Sequence, residues 1–390
     1  MIVYSEIEGR STSFWVLAAV LVGFLLAGLA AALYMEHHGH YVTGMNNQIV
    51  WGMPHVFAIF LIVAASGALN VASIGTVFGK ALYKPLGRLS GLLALALLLG
   101  GLAVLVLDLG RPDRLIVAMT TYNFKSIFAW NIYLYVGFIA VVVVYLWLQM
   151  ERRMHRFVPA AGMLAFLWRL ILTTGTGSIF GFLVAREAYD SAVMAPLFIA
   201  MSFSFGLAAY ILVLIAACRG TGRELGDVVL RRLGRLLGVF AALVLYLTAV
   251  QHLTNLYAAE HAGVERFILL EGGIITALFW VGQVLVGGVL PLLMVFRNTN
   301  RWIALASLLV IIGGFAQVYV IVIGGQAWPL NLFPGMEISS SFYDGAISGY
   351  APSLPEIALG LGGVALAALL VQFGVKVLRF LPATLADSSP

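Results

Sequence analysis

The sequence predicts an all-α integral membrane protein with about ten transmembrane helices, and three observations lead to that fold class. Of the 390 residues, 62% are hydrophobic and only 10% are charged, whereas a soluble domain carries about 25% charged residues. The mean hydropathy is +1.01. Apolar runs recur near the ~20 residues that a helix needs to cross a ~30 Å hydrocarbon core, and the ~10-residue alternating segments of a membrane β-barrel are not seen.

Each apolar run is assigned one helix, because a helix satisfies its own backbone hydrogen bonds within lipid. The first run is too long for the apolar core of a signal peptide, so we expect a retained helix. The runs lie at 14–35, 54–78, 87–107, 127–149, 158–184, 194–217, 235–258, 272–295, 302–323 and 355–379.

Two groups of four helices share local features, which suggests an internal duplication. The second and sixth helices begin at Met53-Pro54 and Ala195-Pro196, and the third and seventh end in polar clusters at 108–111 and 251–255. We therefore expect two four-helix bundles related as parallel repeats. The expected parts are an N-terminal helix and outer loop (1–50), a first bundle (51–190), a second bundle (191–323), an outer loop (324–354) and a C-terminal helix with its tail (355–390).

The loop charges predict the orientation in the membrane. Most of the 22 Lys and Arg residues fall in loops on the side that holds both termini, so both termini should be cytoplasmic. The pI of about 9.3 then reflects this bias and implies no nucleic-acid partner. Most acids and six of the seven histidines belong to the outer half: His37, His38, His40, His55, His252 and His261. We expect a multi-pass protein of the inner (cytoplasmic) membrane whose polar chemistry lies at the outer face.

The cysteine count limits the redox centres. The sequence has one cysteine, Cys218, which excludes intrachain disulfides, Cys-ligated iron–sulfur clusters and Cys-based zinc sites. An iron–sulfur cluster that exchanges electrons with this protein must therefore belong to a partner. We also expect no haem and no metal: His37, His38 and His40 match no strong ligand spacing, and His55 and His252, the pair at suitable depth for a bis-His haem, fall in different bundles.

Five side chains at the outer end of the first bundle could form a polar pocket. Asp108 ends the third helix, and a carboxylate at that depth is costly unless it is paired, so Arg111 is its expected partner. His55 begins the second helix, where an imidazole can hydrogen-bond a quinone carbonyl and titrate. Glu187 and Tyr189 end the fifth helix on the same side. The alternative is structural: a salt bridge that terminates a helix and a histidine at a helix start.

A second group of polar residues lies deeper in the first bundle. Arg169 is about 16 Å along the fifth helix, at 1.5 Å per residue, and an arginine near the bilayer midplane is a functional candidate. Thr173 follows one turn later, and Ser66 and Asn70 lie on the second helix. These four residues are expected to form a proton path toward the outer pocket. Packing of a buried arginine against backbone and hydroxyl groups is the equal alternative.

Three segments resemble the NrfD/PsrC family, the membrane quinone-interacting subunits of respiratory complexes. They are WGMPHVFAIFLIVAASGALN (51–70), LDLGRPDR (107–114) and WPLNLFPGMEISSSFYDGAISGYAPSLPEIALG (328–360). Within that family, the opening EIEGRS, the ten-helix length and the segment MEHHGHYVTG are most similar to the DsrP type of the DsrMKJOP complexes of dissimilatory sulfur metabolism.

The resemblance implies a function and a site. It implies two four-helix bundles, and a quinone (menaquinone or ubiquinone) bound near the outer surface in the first bundle. His55 matches the family's quinone-site histidine, residues 108–112 match its Asp-Leu-Gly-Arg-Pro segment, and Tyr189 is the nearest match to its aromatic quinone ligand. The asparagine that often precedes the family's histidine is replaced here by Met53-Pro54.

The same resemblance implies partners. They are a periplasmic ferredoxin-like iron–sulfur subunit, a multihaem cytochrome and further membrane and cytoplasmic subunits, in addition to lipid. The protein would then be the quinone-reactive subunit of an oxidoreductase complex, with 324–354 as the docking loop. Two other functions stay open: a membrane anchor without its own quinone site, and a secondary ion transporter, which is weakened because Gln317 is the nearest counterpart of Arg169 in the ninth helix.

Overall fold

The computed structural model describes residues 3–330, 336 and 345–387, and within these it contains ten helices long and apolar enough to span a membrane. The prediction of ten transmembrane helices is thereby confirmed. They are α1 (Thr12–His38), α2 (Met53–Thr76), α3 (Ala81–Leu107), α4 (Ile127–Met150), α5 (Arg152–Gly181), α6 (Met194–Thr221), α7 (Asp227–Tyr257), α8 (Ile274–Val295), α9 (Asn300–Ala327) and α10 (Leu354–Val377).

Both chain ends lie at the same end of the helices. Strand β1 (Tyr4–Ser5) pairs antiparallel with β2 (Leu381–Pro382), and the backbone N–H of Ile7 donates to the carbonyl of Val375 at 3.2 Å. The Arg223 guanidinium, between α6 and α7, donates to the carbonyls of both β2 residues. An even number of spans places the termini together in this way. That this side is cytoplasmic stays a prediction from the loop charges.

The helices differ in how much of their surface is covered. The most apolar 18-residue stretch is 83% buried in α2, 72% in α6 and 67% in α9, but only 22% in α1 and 28% in α4, α5 and α8. The first group therefore forms the centre of the molecule, and the second faces lipid. Among helices α2 to α5, and again among α6 to α9, helices that are adjacent in sequence pack together. Helix α1 packs on α10, and α10 packs on α3.

The two sets of four helices meet where α2 crosses α6. A Cβ atom on Gly67 would lie 1.5 Å from the carbonyl oxygen of Ser202, and one on Gly206 would lie 2.2 Å from the carbonyl carbon of Gly67. Only glycine allows backbones to approach this closely, as is common between membrane helices.

Two predicted boundaries are wrong. The seventh helix begins at Asp227, eight residues before the predicted 235, because its first turns carry charges that still form a helix, with Asp227 and Arg231 paired at 3.2 Å. The ninth helix continues to Ala327, so the outer loop begins at Trp328 rather than at 324. Part of the predicted docking loop, 331–335 and 337–344, lies outside the described residues.

Candidate functional site

His55 and Asp108 form a buried pair at the outer end of the first bundle. Gly52 and Pro54 start α2, which fixes His55 in its first turn, while Asp108 caps the C-terminus of α3. The His55 Nδ1 atom lies 2.8 Å from Asp108 Oδ2, and the side chains are 17% and 1% exposed. The indole of Trp51 stacks on the imidazole at 6.1 Å between centroids. The structure thus brings together the two residues on which the predicted pocket depends.

The Asp108 carboxylate lacks hydrogen-bond donors within the described part of the protein. Neither of its oxygens accepts a hydrogen bond there, and the His55 Nδ1 atom, although close, is not aligned to donate one. A buried carboxylate without donors is costly. The site can therefore accept a hydrogen bond from a ligand hydroxyl.

His40 connects this pair to the outer surface. Its Nε2 atom contacts the backbone carbonyl of Asp108 at 3.0 Å and lies 3.9 Å from Asp108 Oδ1, and its side chain is 31% exposed. The sequence singled out His40 only as one of three clustered histidines, and its approach to a residue 68 positions away has no signal in the sequence. The described residues contain no group of three or more His, Cys, Asp or Glu side chains that could hold a metal ion.

The predicted pairing of Arg111 with Asp108 is wrong. Arg111 forms two hydrogen bonds to Asp113, of 2.9 and 2.8 Å, and its side chain is 63% exposed. Helix α3 ends at Leu107, so the one-turn spacing that would place Arg111 above Asp108 no longer applies. The hydrogen bonds from Arg111 hold the pKa of the Asp113 carboxyl below its usual value.

Glu187 and Tyr189 have partners on the side of the second bundle. The Glu187 carboxylate accepts a hydrogen bond from Trp328 Nε1 at 2.9 Å, and the Tyr189 hydroxyl donates to the carbonyl of Val322 at 2.9 Å. Burial raises the pKa of the Tyr189 hydroxyl well above its ordinary value, so it stays a donor. The hydrogen bonds of these two side chains to Val322 and Trp328 lie at the end of α9 and in the loop that follows it.

The four residues of the predicted proton path are in contact. The Arg169 side chain is fully buried, and its Nη2 atom donates to Asn70 Oδ1 at 3.0 Å. The Ser66 hydroxyl contacts the Thr173 hydroxyl at 2.5 Å and also donates to the Arg169 carbonyl. No carboxylate within the described ranges lies at ion-pair distance from Arg169. Proton conduction through this cluster stays a prediction.

An apolar crevice lies next to Asp108, between α1, α3 and α10. Its lining includes Leu107, which directly precedes Asp108, together with Leu29 and Leu366. It measures about 20 Å³ and is enclosed by carbon-rich side chains and glycines where the three helices pack together, with Val104 and Leu359 buried.

The second bundle contains a His–carboxylate pair that the sequence did not predict. His252 Nδ1 lies 2.7 Å from Glu265 Oε2, and Asn255 Nδ2 donates to Glu265 Oε1 at 2.8 Å. Glu260 lies closer to His252 in the sequence than Glu265 does. In the structure, Glu260 instead lies 3.6 Å from His261 at the surface. Glu265 is buried because it lies on the inner side of a helical turn over 262–266, whereas Glu260 precedes that turn.

Comparisons with known proteins agree with this architecture. The family model described as polysulphide reductase, NrfD matches residues 41–329. The chain is 29% identical to the Hdr-like menaquinol oxidoreductase integral membrane subunit of Archaeoglobus fulgidus, over 97% of this chain and 96% of that protein. It is 31% identical to a putative dimethyl sulfoxide reductase membrane subunit of Halobacterium salinarum, over 93% of this chain and 90% of that protein. It is 24% identical to a polysulfide reductase chain of Wolinella succinogenes, over 72% of this chain and 96% of that protein.

Proposed function

The chain belongs to the polysulphide reductase NrfD family, and on that premise we propose that it binds quinone or quinol at the His55–Asp108 pair. The chain would be the quinone-reactive membrane subunit of an oxidoreductase complex. The printed name of the Archaeoglobus relative, a menaquinol oxidoreductase subunit, supports this function and makes menaquinone the first candidate.

One observation carries the proposal: Asp108 is a buried carboxylate whose oxygens lack donors among the described residues. A quinol hydroxyl is such a donor, and a charge-assisted O–H···O⁻ bond is among the stronger hydrogen bonds in proteins. A quinone carbonyl requires a donor instead, which protonated His55 supplies. The pair can thus hold the head group in either redox state.

The pair also provides an exit for protons. Oxidation of a quinol releases two electrons and two protons, so groups that connect to water are required. A proton that leaves the quinol hydroxyl passes to Asp108 or His55 and then to His40, whose side chain is 31% exposed. In the opposite direction the same residues deliver protons to a quinone.

Electrons leave the quinol for a partner. With one cysteine in the sequence, the protein cannot ligate an iron–sulfur cluster through cysteines, and the partner class implied by the family is a periplasmic ferredoxin-like iron–sulfur subunit. The outer loop from Trp328 onward is the docking surface for this iron–sulfur subunit. A multihaem cytochrome is a further subunit of the same complex. The DsrP-type role in sulfur metabolism belongs to this proposal and rests on the resemblance in the sequence.

Quinol-analogue binding to the purified complex tests the proposal, with fluorescence quenching as the signal. His55→Ala and Asp108→Asn should weaken binding in complexes that still assemble. Asp113→Asn is the matched control, because Asp113 is a neighbouring carboxylate whose side chain is 59% exposed. Equal affinity in all four proteins would refute the site and leave the protein as a membrane anchor.

A further inference from the structure

The His252–Glu265 pair of the second bundle is buried, and it belongs to no part of the quinone proposal. Its side chains are 14% and 1% exposed. His252 lies about 8 Å from the end of α7, at 1.5 Å per residue. Both carboxylate oxygens of Glu265 accept hydrogen bonds, one from His252 and one from Asn255. The outer surface is reached through the imidazole, which is the more exposed partner.

A small cavity continues from this pair toward the middle of the membrane, with polar side chains on part of its wall and apolar residues such as Leu197 and Ile268 on the rest. It measures about 20 Å³ and is lined by His252, Glu265 and three glutamines, Gln251, Gln283 and Gln317. This volume admits ordered water but not a quinone ring. The three glutamine side chains come from α7, α8 and α9, so all three helices expose a polar group to the same space.

One lining atom indicates an occupant of this cavity. The Oε1 atom of Gln283 is buried and accepts no hydrogen bond from the described residues, although the residue is only 7% exposed. Its amide nitrogen and that of Gln317 lie 3.5 and 3.3 Å from the Thr248 hydroxyl. A buried amide oxygen without a donor is explained by a water molecule that donates to it.

The backbone around the cavity is also unusual. The described residues include three π-helical stretches, Phe267–Glu271, Leu278–Val289 and Val320–Gly324. Each contributes lining residues, including Ile268, Gln283 and Ile321. π-Helical turns are rare and occur frequently at functional sites. Three of them around one cavity indicate a site that is more than a packing defect.

We propose that this cavity is a water-filled proton site of the second bundle, separate from the quinone. His252 and Glu265 exchange protons with the outer surface, and the cavity water carries them to the Thr248, Gln283 and Gln317 cluster. That cluster lies about 14 Å below the outer end of α7, near the bilayer midplane. The site binds protons and water, and it involves no redox step.

Most other charged groups at this end of the second bundle have partners of their own. Arg266 pairs with Glu271 at 2.6 Å, and His261 lies 3.6 Å from Glu260. Arg186 donates to the carbonyls of Gln326 and Gln48. Glu187 accepts from Trp328, and Asp190 follows in the same loop.

Infrared difference spectra of the purified complex at two external pH values test the protonation. The wild-type spectrum should contain carboxyl and imidazole bands that Glu265→Gln and His252→Gln remove. Glu260→Gln is the matched control, because its carboxylate is 76% exposed and lies in the same region. Spectra of both pair variants that equal the wild-type spectrum would overturn the proposal. Amide bands report the fold of each variant.

Oxygen-18 water tests the occupant. An O–H stretching band that shifts in oxygen-18 water should disappear in Gln283→Leu and persist in Gln372→Leu, which removes another buried amide oxygen without a donor, outside the cavity. Persistence of that band in Gln283→Leu would contradict a water at this oxygen. Quinol-analogue affinity, measured on the same samples, should be unchanged, so a failure of this proposal is separable from a failure of the quinone site.

Discussion

Substitutions at the buried Arg169 and at its partner Asn70 should differ in their effect on stability. Replacing the charged arginine by an apolar residue should destabilise the protein less than replacing the neutral asparagine. Arg169 is 0% exposed and Asn70 is 8% exposed, and the amide oxygen of Asn70 accepts from Nη2. The Nε and Nη1 atoms have no hydrogen-bond partner in the described structure. The rings of Phe166 and Phe203 lie 5.0 and 4.7 Å from the guanidinium carbon. Asn70 is therefore its principal polar partner among the described side chains.

The magnitudes follow from what each substitution leaves behind. Asn70→Leu leaves the buried guanidinium without its principal acceptor, and an unsatisfied buried charged group costs about 3 kcal/mol or more. Arg169→Met leaves a neutral amide oxygen unpaired, at about 1–3 kcal/mol, but it also removes a desolvated charge whose Nε and Nη1 atoms have no partner among the described residues, and this offsets that cost. Arg169→Met should therefore be close to neutral. The difference between the variants is about 3 kcal/mol, roughly a hundredfold in the unfolding equilibrium constant.

Reversible unfolding in mixed micelles, followed by tryptophan fluorescence, measures these free energies. The double variant Arg169→Met with Asn70→Leu should recover most of the loss in Asn70→Leu, because neither unpaired group then remains. Asn131→Leu is the control: Asn131 is an amide of similar burial, bonded only to neutral groups, and should cost about 1–3 kcal/mol. If Arg169→Met destabilises the protein as much as Asn70→Leu, the argument is wrong and the arginine stabilises the bundle.

Two further predictions concern the outer face. His40→Gln keeps a donor to the Asp108 carbonyl but removes the titratable ring, so turnover should fall about tenfold or more while the KM for quinol stays constant in steady-state assays; a parallel rise in KM would contradict a relay. Burial and then Glu356 raise the pKa of Tyr350, whose hydroxyl donates to Glu356 at 2.6 Å. Because the pKa of Tyr350 is higher in the folded than in the unfolded protein, where it is about 10, the tyrosine stabilises the fold fully below about pH 10. This stabilisation is lost as the pH rises above that value. Tyr350→Phe should therefore melt earlier at pH 8 but lose less on going to alkaline pH, and equal slopes would refute this coupling.

The sequence predicts those features that depend on apolar length and on position along a helix. Ten runs near membrane length define ten helices, and His55 and Asp108 meet because one begins α2 and the other ends α3 on the same side. Arg111 illustrates where such reasoning fails. Its predicted partner is correct only if α3 continues for another turn, and the helix ends at Leu107.

Features that depend on contacts between distant parts of the sequence were not predictable. His40 reaches Asp108 from the loop after α1, and Gln326 at the end of α9 accepts from the backbone N–H groups of Val50 and Trp51. Such pairs leave no local pattern. Glu356 does follow a local pattern: Ser353 and Glu356 have the capping-box spacing before an apolar run, and the Glu356 carboxylate accepts a hydrogen bond from the Ser353 backbone N–H at 2.8 Å.

Both bundles contain a His–carboxylate pair at the outer end, and the hydrogen bonds of the two pairs assign them different tasks. Glu265 accepts from both His252 and Asn255, so it has no oxygen left that lacks a donor. Asp108 has no aligned donor among the described residues, so it gains most from a ligand that brings a hydroxyl. Since an unsatisfied buried acceptor costs about 1–3 kcal/mol or more when charged, a quinol should occupy the first bundle in preference to the second. The saturated pair is then left to bind and release protons alone.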